Sequence, residues 1–416
     1  MELITILNQC YRQRGFVFQD ASFVDRHHHE IEVSIVPRKH SRANCSGCGN
    51  PRPGYDRLPE RRYEFIPFWG FKVFLVYAKR RVQCDDCGVV AETVPWARGK
   101  HQLCDAYMLY LADWARKMSW KEVAQRFRTS WEKVFHSVEY VVNWGLEHRD
   151  MNGITAIGVD EVQWHKGHKY LTLVYQIDSA NTRLLWIGKE RTEATFQTFF
   201  DQLGEEAVKR IEYVCSDMWK PYLKVIKQRA GHALHILDRF HIVARMNKAL
   251  DEVRASEHRA MKQDGYEPVL TKSRWLLLKR PENLTEKQDT KLQELLQYNL
   301  KSIRAYLLKE EFQHLWDYVS PAWAVKFIDQ WTTKVMRSKI EPMKREAKTV
   351  RRHKDLILNW FIAKKAFSSG VVEGLNTKVK LTVRKSYGFR TYKCTEIALY
   401  HVLGKLPAPE LAHEFY

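Results

Sequence analysis

Two closely spaced cysteine pairs constrain the fold of this chain more than any other feature of its sequence. Cys45 and Cys48 form one C-x-x-C pair, Cys84 and Cys87 form a second, and a glycine follows each pair. A tight turn of this spacing presents two thiolates to one Zn²⁺, and two such turns complete a tetrahedral site. One pair alone would equally suit a redox motif, but two pairs favour zinc. Four thiolates leave no open coordination position, so the sequence predicts a structural zinc ribbon within residues 1–100.

The charge of the chain indicates the kind of partner it binds. Its 416 residues include 68 Lys and Arg against 49 Asp and Glu, which gives a net charge of +19. A large folded protein with this excess of positive charge is typical of those that bind nucleic acid. Hydrophobic residues make up 45% of the chain, which excludes a mainly disordered protein. No apolar run approaches the roughly 18 residues of a membrane span, and residues 1–10 do not resemble a signal peptide, so we expect a cytoplasmic protein.

Residues 101–150 have the pattern of short helices. Ser119-Trp-Lys-Glu122 and Thr129-Ser-Trp-Glu132 each have the composition of a capping box, and apolar residues at helical spacing follow both. Two short helices joined by a tight polar turn are the outline of a helix-turn-helix, so we expect this segment to bind DNA. The residues expected to contact DNA here are Arg126, Arg128 and Lys133.

From residue 151 the pattern changes to alternating strands and helices. Strand-like runs and amphipathic segments follow one another in the order β-β-β-α-β-α-β, as in a ribonuclease-H-like sheet. In such a sheet the first and fourth strands are adjacent and parallel. Asp160 follows the first strand and Asp217 follows the fourth, so we expect the two carboxylates to lie side by side.

Helical, highly charged sequence then interrupts this core. The sequence therefore predicts a multidomain α/β protein in which a ribonuclease-H-like catalytic core is interrupted by a large all-helical insertion. The predicted parts are a zinc-ribbon domain (1–100), a helix-turn-helix domain (101–150), the first part of the core (151–240), the insertion (241–366) and a C-terminal helical part of the core (367–416).

Two neighbouring carboxylates repel each other unless a divalent cation neutralises them. This is the arrangement of a two-Mg²⁺ site for phosphoryl transfer, with Mn²⁺ as the substitute ion. Such a site needs a third carboxylate from a helix that returns to the sheet, and Glu373 is the candidate. Asn376, Lys380 and Arg384 follow it at helical spacing and are expected to share its face.

Asp238 and His241 are candidate accessory groups, because they follow the fifth strand at the neighbouring strand end. An acid at a strand end has a simpler alternative role as the cap of the next helix. That alternative applies to both Asp217 and Asp238.

The sequence of these segments resembles the ISL-three family of bacterial insertion-sequence transposases. The resemblance rests on the zinc ribbon, the helix-turn-helix and four further segments, and it extends from about Ile31 to Arg390. These four segments are Gly158-Val-Asp-Glu161, Cys215-Ser-Asp-Met-Trp-Lys-Pro-Tyr222, Leu237-Asp-Arg-Phe-His241 and Val371-Val-Glu-Gly-Leu-Asn376.

The resemblance implies a DDE transposase whose catalytic triad is Asp160, Asp217 and Glu373. It further implies Mg²⁺-dependent cleavage and strand transfer at the terminal inverted repeats of an insertion sequence, with Lys380 and Arg384 on nearby phosphates. The expected partners are double-stranded DNA, both transposon ends and target, and further copies of the chain in a homodimer or higher oligomer. The expected location is the bacterial nucleoid.

Two other functions remain compatible with the sequence. One is a zinc-dependent DNA-binding regulator, or a host-adapted transposase relic, without strand-transfer activity. The other is a ribonuclease-H-like nuclease that cuts without joining.

Overall fold

The chain folds into two compact units, each with its own hydrophobic core. One comprises residues 1–150 and 379–416, and the other comprises residues 151–378. The computed structural model describes residues 2–24, 29–99, 101–165, 167, 169–266, 269–365 and 369–410.

The first 150 residues form small sheets followed by helices. In chain order the elements are α1 (Leu3–Cys10), β1 (Phe16–Phe23), β2 (Glu30–Pro37), β3 (Ala43–Asn44), β4 (Pro51–Arg52), β5 (Gly54–Arg57), β6 (Arg61–Phe68), β7 (Phe71–Tyr77), β8 (Arg80–Cys84), β9 (Gly88–Ala91), α2 (Asp105–Lys117), α3 (Trp120–Arg126) and α4 (Trp131–His148).

The largest of these sheets has the strand order β1-β2-β7-β6. The pair β2–β7 is parallel and the other two pairs are antiparallel. Ile31, Val33 and Ile35 are buried on one face of β2, which confirms the alternation expected of this strand. The indole of Trp96, in the loop between β9 and α2, packs edge-on against Phe16 of β1. This contact attaches the loop to the sheet.

The cysteine pairs lie on a separate three-stranded sheet and the hairpin beside it. This sheet has the order β5-β8-β9, and β3 pairs with β4 next to it. Cys84 ends β8, and the antiparallel partner of Cys84 is Gly88, so the second cysteine pair forms the turn between β8 and β9. Ala43 and Val82 pack with Cys45 and Cys84 in a small apolar cluster.

The helix pair α3–α4 has one of the two predicted capping boxes. Ser119 accepts a hydrogen bond from the amide of Glu122, and the Glu122 carboxylate accepts one from the amide of Ser119. The second predicted box, headed by Thr129, is wrong by one residue, because Ser130 caps α4 and no reciprocal bond is made. The Thr129 amide is instead bonded to the carbonyl of Ala124, which closes the end of α3.

The second unit contains a five-stranded sheet followed by helices. In chain order its elements are β10 (Ala156–His165), β11 (Lys169–Asp178), β12 (Asn181–Lys189), α5 (Glu193–Leu203), α6 (Glu205–Lys209), β13 (Tyr213–Ser216), α7 (Lys220–Arg229), β14 (Leu234–Leu237), α8 (Arg239–Gln263), α9 (Arg274–Leu278), α10 (Glu286–Leu296), α11 (Lys301–Gln313), α12 (Pro321–Arg337), α13 (Glu341–Arg352) and α14 (Lys354–Ile362). Short 3₁₀ turns lie at Pro281–Asn283 and His314–Asp317.

The strand order of this sheet is β12-β11-β10-β13-β14. The first three strands form an antiparallel meander, and β10, β13 and β14 run parallel. The expected parallel pairing of the first and fourth strands is therefore present. Apolar side chains of α5 and α7 cover one face of the sheet, including Phe196, Phe200 and Tyr222.

One detail of the expected sheet is wrong. The sequence predicts Asp160 at the end of the first strand, but β10 continues to His165. The reason is that β11 pairs with β10 along this extension, with Asp160 opposite Leu173. The parallel pairing with β13, by contrast, ends at Gly158. Asp160 thus lies just beyond the parallel part of the sheet.

Most of the sequence between β14 and residue 365 is helical, as its pattern predicts. Buried tryptophans organise this segment: Trp331 donates a hydrogen bond to the carbonyl of Leu308, and Trp316 packs edge-on against Trp360. The last two helices of the described residues are α15 (Ser369–Lys385), which begins in the second unit, and α16 (Tyr392–Leu403), which packs on α4 within the first.

Candidate functional site

The four paired cysteines converge on one point. Their sulfur atoms all lie within 4.8 Å of one another, and the sulfurs of Cys48 and Cys84 are 3.7 Å apart. Cys45 and Cys84 are buried and the other two are partly exposed. This spacing suits one tetrahedral zinc ion bound by all four thiolates.

Backbone amides around these cysteines favour the thiolate form. The amide of Gly47 lies 3.4 Å from the sulfur of Cys45. Hydrogen bonds from the backbone of Cys48 and Gly47 lower the pKa of the Cys45 thiol to about 7. Gly49 and Gly88, which follow the two pairs, both have positive φ angles, near 74° and 73°. These two glycines allow the tight turns that aim the amides at sulfur.

Three of the predicted acidic residues, all aspartates, lie at one edge of the second unit's sheet. Gly158 pairs with Cys215 across the parallel strands β10 and β13, so Asp160 and Asp217, two residues further along each, lie in the same register. Ser216 likewise pairs with Leu237, which brings Asp217 level with Asp238. All three aspartates line one pocket, together with His241, Trp360 and Val372 among others.

Burial disfavours the ionised form of the aspartates in this pocket. Desolvation raises the pKa of Asp160 and of Asp217, and each is raised further by Asp238. The positive form of His241 opposes these shifts at both residues. A set of buried carboxylates whose ionisation is disfavoured in this way is a good donor set for a hard divalent cation.

Asp238 also has the capping role that its position at a strand end suggested. Its Oδ1 accepts a hydrogen bond from the amide of Phe240 at the start of α8, and its Oδ2 lies 3.7 Å from Nε2 of His241. Asp217 accepts a bond from the amide of Trp219 but does not cap α7, because Trp219 itself precedes that helix.

Asn376 links α15 to the acidic pocket. Its side-chain amide donates a hydrogen bond to Oδ2 of Asp160, and its carbonyl oxygen accepts one from the hydroxyl of Tyr175 at 2.7 Å. Asn376 is buried, and its two hydrogen bonds attach α15 to strands β10 and β11.

Gly158 gives α15 the room for this approach. A Cβ atom at Gly158 would lie 2.6 Å from a methyl carbon of Val372 on α15. Replacing Gly158 by alanine is expected to destabilise the second unit by about 1–3 kcal/mol through overpacking. Denaturant unfolding followed by circular dichroism measures this. The control is Gly374→Ala on α15, where a Cβ meets nothing within 4 Å, and equal effects of the two substitutions would contradict the prediction.

Glu373 lies on α15 as predicted, but its side chain is exposed. It precedes the buried Asn376 by one turn and follows Val372, which lines the pocket. Glu373 itself is not among the residues that line the pocket. Lys380 and Arg384 are exposed near the end of the same helix.

The basic residues predicted to bind DNA differ in their surroundings. Arg126 ends α3, and Arg128 lies in the turn to α4 with a φ of 50°; both side chains are exposed. Lys133 instead forms an ion pair, with its ammonium 2.6 Å from a carboxylate oxygen of Glu64, whose side chain is 4% exposed. Because a buried carboxylate without its cation is costly, Lys133 holds α4 against β6.

Sequence reasoning missed one residue beside the acidic pocket. Arg191 follows β12, and its guanidinium lies 2.8 Å from Glu161 and 3.5 Å from Asp217. The order of strands could have indicated Arg191, because the third strand of a meander runs parallel to the first. Residues that follow these two strands therefore lie at the same edge of the sheet.

The sequence matches known proteins over most of its length, and these matches identify the class. The chain belongs to the ISL3 family of transposases, whose family profile matches residues 157–399. A second profile, described as the zinc-finger of transposase IS204/IS1001/IS1096/IS1165, matches residues 41–87 and spans the paired cysteines.

Curated relatives are transposases of bacterial insertion sequences. The transposase for insertion sequence element IS1001 of Bordetella parapertussis is 29% identical over 349 residues, which cover 83% of this chain and 85% of the relative. The transposase for insertion sequence element IS1557 of Mycobacterium tuberculosis is 30% identical over 393 residues, which cover 87% and 86%. Within the described part of the chain, no helix is both long and apolar enough to cross a membrane.

Proposed function

We propose that this protein is a DDE transposase that binds the terminal inverted repeats of an insertion sequence and performs Mg²⁺-dependent strand cleavage and strand transfer. The observation that carries the proposal is the common register of Asp160 and Asp217 at the edge of a sheet ordered β12-β11-β10-β13-β14. That order and its strand directions support a ribonuclease-H-like core. The catalytic acids are then Asp160, Asp217 and Glu373.

The pocket residues fit a divalent cation, because burial opposes the ionisation of Asp160 and Asp217 when no cation is present. Two Mg²⁺ or Mn²⁺ ions, when bound, activate the attacking hydroxyl and stabilise the leaving 3′-oxygen of a phosphodiester. Asp160 and Asp217 supply carboxylate oxygens from adjacent strands. Asn376 holds Asp160 in place through its amide. Glu373 supplies the third carboxylate from α15.

Further residues bind or position the DNA. Lys380 and Arg384 are exposed cations on α15 and contact backbone phosphates of the DNA. Asp238 and His241 are accessory groups of the pocket. The positive form of His241 favours the ionised form of both Asp160 and Asp217.

The N-terminal parts recognise the transposon ends. The pair α3–α4 is the helix-turn-helix, and the cysteine cluster binds a structural Zn²⁺. Residues 241–366 are an insertion in a core formed by residues 151–240 and the part of α15 that belongs to the second unit. Pairing two DNA ends requires at least a homodimer.

Replacing Arg126 and Arg128 together by alanine is expected to weaken binding to end-bearing DNA and to flatten its salt dependence. A cation that neutralises one phosphate contributes about 0.9 to the slope of log K against log salt. The slope of the double variant is therefore shallower by about 2 if each arginine binds one phosphate. Fluorescence anisotropy at several salt concentrations measures both quantities. Arg14→Ala, an exposed arginine before β1, is the control, and an unchanged slope in the double variant would remove these residues from the interface.

The proposed function is tested with purified full-length protein and a labelled duplex that carries the ends of its own element. With Mg²⁺ or Mn²⁺, we expect cleavage at the element boundary and joining of the 3′ ends to a second duplex. EDTA and a duplex with scrambled ends are the controls. Tight binding without cleavage in either metal would instead indicate a DNA-binding regulator, and cleavage without joining would indicate a nuclease.

A further inference from the structure

Arg191 lies between two carboxylates at unequal distances. Its guanidinium is 2.8 Å from Oε1 of Glu161 and 3.5 Å from Oδ2 of Asp217. Only the first distance is that of a charge-assisted hydrogen bond. Both acids are largely buried, with side chains 14% and 12% exposed. The arginine is therefore bound to Glu161 and held next to Asp217 without a hydrogen bond to it.

The position of Arg191 is set by groups on several sides. Its guanidinium carbon lies over the ring of Trp219, 4.2 Å from the ring centre, which is a cation–π contact. Glu190, directly before it, has a positive φ of 82°, and the hydroxyl of Thr172 donates a hydrogen bond to its carbonyl. This uncommon backbone conformation turns the chain at the end of β12 and directs Arg191 toward the pocket.

Glu161 is well placed to compete with Asp217 for the arginine. It neighbours Asp160 on β10, and successive strand side chains point to opposite faces. Asp160 contacts Asn376 on α15, whereas Glu161 contacts Arg191 after β12. Glu161 does not line the pocket that contains the three aspartates, and its carboxylate pairs with the guanidinium instead.

We propose that Glu161 anchors the Arg191 guanidinium away from Asp217, so that Asp217 keeps a carboxylate oxygen available for the divalent cation. Glu161 is a positioning residue and Arg191 is the competitor that it restrains; this role rests on the proposed function of the acidic pocket. Without its anchor, the guanidinium has only about 0.7 Å to move before it hydrogen-bonds Asp217 and competes with the cation.

The test is the affinity of the full-length protein for Mn²⁺, measured by electron paramagnetic resonance without DNA. Glu161→Gln preserves size, and we expect it to raise the Kd for Mn²⁺ by about 10- to 100-fold, as loss of an outer-sphere partner does. Adding Arg191→Met to this variant removes the competitor and is expected to return the Kd to near the wild-type value. Arg191→Met alone is expected to leave the Kd unchanged. The Mg²⁺ concentration for half-maximal cleavage is expected to rise in Glu161→Gln and to stay near the wild-type value in the other two variants.

A merely structural role predicts a different pattern. If the ion pair only supported the fold, the double variant would bind Mn²⁺ as weakly as the worse single variant, and this result would overturn the proposal. An unchanged Kd in Glu161→Gln would also overturn the proposal, as would a higher Kd in Arg191→Met alone. The Arg191→Met measurement remains informative if Glu161→Gln does not fold. Glu193→Gln, which removes the exposed pair with Lys224 on α5 and α7, is the matched control. A wild-type protein that neither binds Mn²⁺ nor cleaves DNA overturns the proposed function instead.

Discussion

Replacing Glu373 by glutamine is expected to abolish strand cleavage and to leave folding and DNA binding intact. Glutamine keeps the size of the side chain but removes the charge that a divalent cation needs from its third carboxylate. The side chain is exposed on α15, so the substitution leaves no buried group unpaired. We expect a loss of at least about 10³-fold in the cleavage rate, equivalent to roughly 4 kcal/mol in the barrier. Single-turnover cleavage of an end-bearing duplex measures it.

This substitution also decides which residue supplies the third carboxylate. Asp238 lines the pocket beside Asp160 and Asp217, whereas Glu373 does not. Asp238, however, is already bonded to the start of α8, and an N-cap carboxylate has one oxygen committed to the backbone. We therefore expect Asp238→Asn to reduce cleavage only partly.

The control is Glu341→Gln on α13, whose side chain is 71% exposed. Full activity of Glu373→Gln combined with complete loss in Asp238→Asn would transfer the third position to Asp238. Equal and complete loss in both variants would make both residues essential.

Removing one zinc ligand is expected to unfold the zinc-bearing sheet of the first unit. Cys84→Ser replaces a buried thiolate at the end of β8, in a cluster whose apolar part is small. Such small sheets depend on the metal, and structural Zn²⁺ contributes on the order of 10 kcal/mol or more of binding free energy. We expect loss of stoichiometric zinc, a lower Tm and loss of specific end binding. Metal analysis, thermal unfolding and anisotropy measure the three.

Cys10→Ser is the matched control, since Cys10 is exposed and lies outside the cluster. It is expected to retain one zinc per chain and the wild-type Tm. A Cys84→Ser protein that retains both its zinc and its Tm would show that another residue or no metal stabilises this sheet. Lowering the pH is expected to release zinc from the wild-type protein, because the ligands bind as thiolates and protons compete for them.

The local elements were largely predictable because each depends on neighbours in the sequence. The cysteine spacing in C-x-x-C, the Ser119–Glu122 capping box and the alternation of β2 all act over a few residues. The errors were also local in scale: α4 is capped by Ser130 and not by Thr129. Asp160 lies inside β10 because β11 extends the strand. The pairing with β11, the next strand in the chain, decides where β10 ends.

The sequence by itself determined the metal-binding cysteines, the order of strands and helices, and the identity of the acids just beyond the parallel part of the sheet. These follow from residue type and short-range spacing. Only the tertiary structure decided which charges face each other: Lys133 is held by Glu64, Asn376 holds Asp160, and Arg191 is bound to Glu161 beside Asp217. The physical reason is that ion pairs and side-chain hydrogen bonds depend on distances of a few ångströms between residues far apart in the chain, which strand register and helix packing set together.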